Sequence, residues 1–403
     1  MKTKVCIIGM GPAGLMAANV LNSLNIPYKV IDKNPIPGKK LLLTGGGRCN
    51  VTNNLTNREF MDSLTVNKRF LYSTLSSFST IEIINFFKSK NVDLVLDKEF
   101  KYFPKSSKSK DIVDALTNDI AKNLIFNETV DSIKKSNLFT IKTNKQSIEA
   151  DYVIIATGST SYPKTGSDGF GSRVAKSFGI NTIPFYPAET SVYSSFVKQN
   201  KESLQGVSIS KSTIRIKNTK TSFVGDIGFT HFGVSGPGIQ HLSEDIYHNL
   251  QTQNTITVSL TALSEHQIRE LFEEAKETGK SIIRVLEQCT INRLAKFLIE
   301  SNNISNTKVK ETSKKTINKI IELLLQYEII VDKVEAKENA YVNGGGVDTK
   351  ELNPKSFESK KIPGLFFIGE AVDVHGPIGG FNITIATSMG HHAAHYISNQ
   401  ENL

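Results

Sequence analysis

At 403 residues the chain is long enough for two or three domains with a sizeable core. Its 39% hydrophobic and 22% charged content is ordinary for a globular protein, and no apolar run approaches the ~18 residues of a membrane span, so no membrane partner is expected. The formal net charge of +9 comes mainly from lysines scattered along the chain. It lacks the arginine clusters interleaved with aromatics of a nucleic-acid surface, so nucleic acid is not an expected partner.

Met1-Lys2-Thr3-Lys4 followed by apolar residues faintly mimics a secretory signal, but the apolar run stops at Gly9. A cytoplasmic location is expected. Three cysteines, Cys6, Cys49 and Cys289, form neither a CxxC pair nor a metal-ligand spacing. That count suits a reducing compartment and argues against a paired active-site dithiol.

Residues 5–8 are a short apolar run that predicts a buried parallel strand, and they lead into Gly9-x-Gly11-x-x-Gly14. Pro12 stands in the first turn of the following helix, where a missing N–H costs nothing. The three glycines have separate tasks: a tight turn, close approach of backbone to a pyrophosphate, and close helix–strand packing. Unpaired N–H groups and partial positive charge at the helix start complete an anion site with Ala13 beside it. A second strand over 28–32 ends in Asp32, followed by Lys33, at the distance expected of an acid that accepts from a ribose hydroxyl.

Next come Lys39 and then Gly45-Gly46-Gly47-Arg48-Cys49-Asn50. Successive glycines turn N–H groups toward one anion, or let a flat ring approach the backbone. Helical spacing marks 81–90 and 109–122; strand-like pieces lie near 92–96 and 138–142. Residues 151–158 return as a buried strand ending in Ala156-Thr157-Gly158, with a polar, turn-rich stretch over 161–169. From 184 to about 260 period-two stretches predict antiparallel strands, and 265–300 and 311–327 change to helical period. Residues 362–370 then form a buried strand closing on Gly369-Glu370, and Gly379-Gly380-Phe381-Asn382-Ile383 opens a helix over 382–398. Ligands of open parallel sheets bind at this carboxyl edge.

The amino-terminal fingerprint alone does not choose between NAD and FAD. A site running from it, past an Ala-Thr-Gly turn, to a Gly-Glu strand end suits the long FAD molecule. Adenosine is expected at the first βαβ unit, ribitol near Glu370 and Asp373, and the ring at the last helix start. No second complete GxGxxG unit serves a separate nicotinamide domain.

Gly45–Asn53, Ser161–Gly166, Phe229–Pro237, Gly344–Val347 and Glu358–Leu365 resemble bacterial FAD-binding flavoproteins labelled BaiN-like or aminoacetone-oxidase-family. The likeness runs in order over essentially the whole chain. It implies an α/β fold: a Rossmann-type FAD-binding domain (1–185 and 338–403) interrupted by a small antiparallel β-barrel (186–262 and 328–337) and a helical subdomain (263–327). Val130 joins the implied cofactor contacts. Where the family reads Gly-Glu-x-x-Asp-x-Asp-Gly, this chain keeps Asp373 but has His375 in place of the second acid.

The resemblance implies an FAD-dependent oxidoreductase in which NADH or NADPH, docking transiently, reduces the flavin. The flavin then reduces an activated C=C or C=N bond of a small organic substrate. The same-class alternative is an amine oxidase using oxygen; a different class is a flavin-containing RNA-modifying or RNA-binding protein. Candidate proton donors or substrate clamps are Arg48, Tyr162, His231 and His375. An arginine holds a carboxylate or carbonyl in two-point fashion, and a histidine titrates near neutrality. His375 either reaches the ring or turns its side chain to solvent. Cys49, without a partner thiol, is expected to pack or sit at a ring edge.

Overall fold

The computed structural model describes residues 1–252 and 254–401. They form two compact units, one made of 1–186 and 342–401 and the other of 187–341. Among the described residues no helix is long and apolar enough to cross a membrane.

The first unit is built on β1 (Lys2–Ile8), α1 (Pro12–Ser23) and β2 (Tyr28–Ile31). The sheet continues with β3 (Leu124–Ile125), β4 (Val130–Lys135), β5 (Phe139–Thr143), β6 (Ser147–Ile155) and β7 (Leu365–Phe367). Its order is β3-β2-β1-β6-β5-β4, and β7 also pairs with β6. Strands β3, β2, β1, β6 and β7 are parallel, with Ile8 opposite both Ile31 and Ile155. On the edge away from β1, the nine residues of β6 serve two partners. Its first half pairs antiparallel with β5 up to Ala150, and its second half pairs parallel with β7 from Val153.

Val5, Cys6, Ile7, Val153, Ile154 and Ile155 are buried. That is why β1 and the end of β6 read as unbroken apolar runs rather than alternating ones. Helix α2 (Phe381–Glu401) lies against α1. Gly390 makes that contact possible: a Cβ there would stand 2.2 Å from the Ala13 carbonyl oxygen. Small residues at 13, 17 and 390 let two backbones approach as no larger pair could.

The second unit carries an antiparallel seven-stranded sheet, ordered 327–330, 255–258, 208–216, 222–229, 233–235, 192–193, 333–334. Its two outer strands follow one another in the chain, so the sheet rolls round on itself. Helices Glu265–Thr278, Ile282–Cys289, Asn292–Ser301 and Lys314–Leu325 pack their apolar stripes into the same core, where Phe272, Leu286, Leu298 and Ile321 are buried. The stripe Ile317, Ile320, Ile321 and Leu324 is buried as its spacing predicts.

Replacing Gly390 with Val forces α1 and α2 apart. Urea unfolding of the first unit should show stability lower by about 2–3 kcal/mol at unchanged slope. An unchanged midpoint would show that the helices do not touch there.

Candidate functional site

At the carboxyl edge of the parallel sheet, where β1, β2, β6 and β7 end, lies an elongated cavity of about 400 Å³. Its first stretch is the glycine turn. Gly9 has φ +111°, and a Cβ on it would come within 2.4 Å of the Ala156 carbonyl oxygen, so the turn closes on the β6 end only without a side chain. Gly14 packs under the turn, where a Cβ would meet the Gly9 oxygen at 2.1 Å; it does not line the cavity. Gly11 differs from both. Its backbone is extended (φ −83°), and its Cβ would meet nothing in the chain nearer than 4.0 Å. A side chain at 11 would project into the cavity.

Asp32 accepts from the Met10 N–H at 2.7 Å through one oxygen and from the Asn34 N–H at 2.8 Å through the other. It therefore braces the glycine turn, and its remaining lone pairs face the cavity that it lines. Lys33 and Arg173 hold Asp168 at 2.8 and 3.1 Å. Burial pushes the Asp168 carboxyl upward, but those two cations outweigh it and keep it below the usual range. Val130, Ala156, Thr157, Gly158 and Lys39 complete this stretch.

Midway stands an ion pair that the sequence reading half found. Glu370 accepts from Lys40 Nζ at 2.7 Å and from Ser159 Oγ at 3.0 Å, and Lys40 also donates to Ser161 Oγ at 2.5 Å. Both charged side chains are about three-quarters buried, at 24% and 23% exposed. Burial raises the Glu370 carboxyl, yet the Lys40 charge and these hydrogen bonds hold it below the ordinary value. Lys39, an expected cofactor contact, lines the cavity with its Nζ 3.5 Å from the Asn34 amide oxygen; its neighbour Lys40 carries the ion pair.

The far stretch is the start of α2. Thr384 N–H closes the first bond of the helix, on the Gly380 carbonyl at 3.1 Å. The N–H groups of Phe381, Asn382 and Ile383 thus lie outside the helix's own ladder, with its positive end toward the cavity that Asn382 and Ile383 line. The Asn382 amide clamps Gly376 from both sides, accepting from its N–H at 3.0 Å and donating to its carbonyl at 2.7 Å.

Several expected residues do not line this cavity. Gly45, Gly46 and Gly47 have φ of +57°, +66° and +86°, and around Gly46 and Gly47 a Cβ would find open space. Of the segment Leu41–Gly47, Leu41 and Thr44 reach the lining. Arg48 turns back over the Phe103 ring at 4.6 Å and donates to the Gly45 carbonyl. Cys49 is buried, and burial pushes its thiol to about 12, so it is inert packing. Asn50, with its amide nitrogen facing the Thr52 carbonyl and its oxygen facing the Gly380 N–H, both at 2.9 Å, supports the turn into α2. Gly379 and Gly380 form that turn, a Cβ on Gly380 meeting Thr52 backbone at 2.6 Å. Phe381 is buried against Phe60.

Asp373 accepts from Gly345 N–H at 2.9 Å and Asn67 Nδ2 at 3.0 Å, bracing a loop rather than facing the cavity. Burial raises its carboxyl. His375 is 4% exposed and edge-on to Tyr186 at 6.4 Å, so its ring is turned inward, not to solvent. Tyr162, in left-handed conformation, caps the turn Pro163–Thr165 just before the lining residues Thr165, Gly166, Ser167 and Asp168. His231 belongs to the second unit, exposed and edge-on to Phe232. The sequence offered no signal for Lys40 or Ser159. The lining segment 165–168 lies within the turn-rich stretch 161–169, whose composition directly after Ala-Thr-Gly places it over a surface or a site.

The cavity fits FAD on its own geometry. The cradle at Gly11 accepts a diphosphate where any side chain would stand, and the positive end of α2 awaits negative charge at the other limit. This fold and site define a Rossmann-type, FAD-dependent oxidoreductase. The chain belongs to the family described as HI0933-like protein Rossmann domain, whose model matches residues 3–396. Among curated relatives, proteins named ribosomal RNA dihydrouridine synthase match from Haemophilus influenzae (29% identity, 98% of both chains) and Escherichia coli (30%, 95% of this chain and 94% of that one). A 3-dehydro-bile acid delta(4,6)-reductase from Clostridium scindens is 26% identical over 96% of this chain and 97% of its own length. The solved 3-ketosteroid-delta4-(5alpha)-dehydrogenase of Rhodococcus jostii shares the fold, with TM-score 0.56 and 13% identity over 98% of this chain and 97% of that one.

Two substitutions separate cradle from scaffold. Gly11→Val should leave the unfolding midpoint almost unchanged and abolish FAD retention, whereas Gly9→Ala should destabilise the fold itself. Gly11→Val with full flavin content would remove the diphosphate from this turn. Lys40→Met leaves a carboxylate in a poorly solvated cleft, at a cost of about 1–3 kcal/mol. In the native protein the Glu370 contribution is complete above the ordinary glutamate range and is lost as pH falls through its lower folded value. In Lys40→Met the carboxyl titrates higher, so calorimetry should show part of the lost stability returning as pH is lowered toward about 5.

Proposed function

We propose that this protein is an FAD-dependent reductase that saturates a C=C bond conjugated to a carbonyl, with NADH or NADPH as electron donor and uracil within RNA as substrate. The observation that carries the reading is the single continuous cavity from the Gly9–Gly14 turn, past Lys40–Glu370, to the start of α2. It gives one dinucleotide cofactor its whole length and leaves the nicotinamide donor to dock transiently.

FAD, when bound, supplies the two-electron chemistry. The residues of the chain bind and polarise. The turn at Gly11, braced by Gly9 against β6, would hold the diphosphate, and Lys40 and Glu370 would fix the middle of the cofactor. The N-terminal N–H groups of α2 favour negative charge at the reacting end. Asn382 fixes Gly376 and, through it, the loop carrying His375.

The substrate class is supported by what the relatives have in common. Dihydrouridine arises by saturating the 5,6 double bond of uracil, conjugated to the carbonyl at position 4. A delta(4,6)-reductase acting on a 3-oxo compound saturates bonds conjugated in the same way. RNA is favoured over a steroid because two relatives, at 29% and 30% identity, carry the RNA name. The lysine distribution gave no reason by itself to expect RNA; these relatives do.

Anaerobic holoprotein should be bleached by NADPH or NADH, recover its yellow colour on adding unmodified ribosomal RNA, and leave dihydrouridine in the nuclease digest. Bleaching by dithionite alone would remove the nicotinamide donor. Peroxide released on turnover with an amine, with no dihydrouridine, would replace the proposal by the oxidase reading.

A further inference from the structure

The first unit has a second concavity, of about 560 Å³, between the 65–70 and 349–360 segments. Its lining includes Lys68, Arg69, Lys350 and Lys360 and no aspartate or glutamate. Lys68 is within 4.0 Å of Asp62 outside the lining, and Lys360 Nζ donates to the Lys350 carbonyl at 2.8 Å. The exposed Arg69 and Lys350 side chains hold no ion pair among the described residues. Two acids of the adjoining segment have partners of their own: Glu351 is held by Lys361 at 2.9 Å and by Asn181, and Asp348 accepts from the Lys350 N–H at 2.9 Å. Four cations around one hollow repel each other, and proteins keep such an arrangement at a cost in stability.

The hollow is wired to the cavity. Asn67, on its rim, donates to the Asp373 carbonyl at 2.7 Å and to its carboxylate at 3.0 Å. Asp373 begins the short loop that reaches Gly376, and Asn382, which lines the cofactor cavity, holds Gly376. A ligand seated among the four cations is thereby registered against the reacting end of the cavity through two hydrogen-bonded links.

Resting on the RNA reading above, we propose that this hollow holds the phosphodiester backbone of the RNA substrate and positions it for reduction. The chemistry suits a backbone rather than bases. Phe70, the aromatic side chain in the lining, is buried, so the lining itself offers no exposed aromatic face for stacking, and its polar groups are dominated by cations. Such contacts set register and affinity without reading sequence. A nicotinamide dinucleotide fits less well, because no glycine turn at a helix start lines the hollow to take its diphosphate.

The test is binding of a fluorescent oligouridylate of about 12 nucleotides to holoprotein. At about 0.7 logarithmic units of salt slope per phosphate, four contacts predict a loss of about 50-fold in affinity between about 50 and 200 mM salt. Arg69→Glu/Lys350→Glu should weaken binding at least about 10-fold at the lower salt and roughly halve the slope. FAD content should stay unchanged, because neither side chain has a structural partner. The control Lys122→Glu/Lys142→Glu reverses the same charge elsewhere on the first unit and should change affinity far less. Equal losses in the two double variants would overturn the hollow, leaving only overall charge. Unchanged binding by Arg69→Glu/Lys350→Glu overturns the hollow while the RNA reading stands. No binding by the wild type overturns both. Loss of NADPH affinity with RNA binding intact would assign the hollow to the donor and overturn the proposal.

Discussion

The site depends on how closely backbone approaches backbone at the carboxyl edge of the parallel sheet. Gly9 sits where any side chain would strike the end of β6, Gly14 where it would strike Gly9, and Gly390 where it would strike α1. These absences let the turn after β1, the end of β6 and the long carboxyl-terminal helix share one narrow rim. Without them the positive ends of α1 and α2 would not open on the same cavity. Asp32 then braces the turn from the side by accepting the Met10 N–H.

Charge along the cavity follows from the same crowding. Glu370 closes the β7 edge, and its carboxylate is poorly solvated. It stays ionised because Lys40 and Ser159 are brought to it from distant parts of the chain. An ion pair of this kind adds little net stability, since desolvation offsets most of the attraction, but removing one member is costly. Its value lies in fixing geometry midway between the diphosphate cradle and the α2 start.

Much of this was legible in the sequence because it is local. A strand, three glycines, a helix and a second strand ending in Asp32 are contiguous, and each glycine's task follows from its position in the turn. The switch from parallel to antiparallel to helical pattern likewise marked the insertion of a second unit. The supporting layer was not legible, because its partners are remote. Lys40 and Glu370 are 330 residues apart, and nothing distinguishes Lys40 from Lys39 until the loop is folded. The Gly45–Asn50 string looked like a cofactor loop from composition. In the fold its arginine turns onto Phe103, its cysteine packs, and its asparagine supports Gly380. Distinctive residues also serve to brace neighbouring turns, and spacing alone does not tell bracing residues from lining ones.

The central claim is that one cavity, cradled at Gly11 and ending at α2, is built for a single dinucleotide flavin. The most direct measurement is to denature the purified protein and chromatograph the chromophore it releases against protein concentration. FAD in equimolar amount with the chain is the expected result. Release of FMN, or a colourless protein that takes up no FAD on incubation, would contradict it.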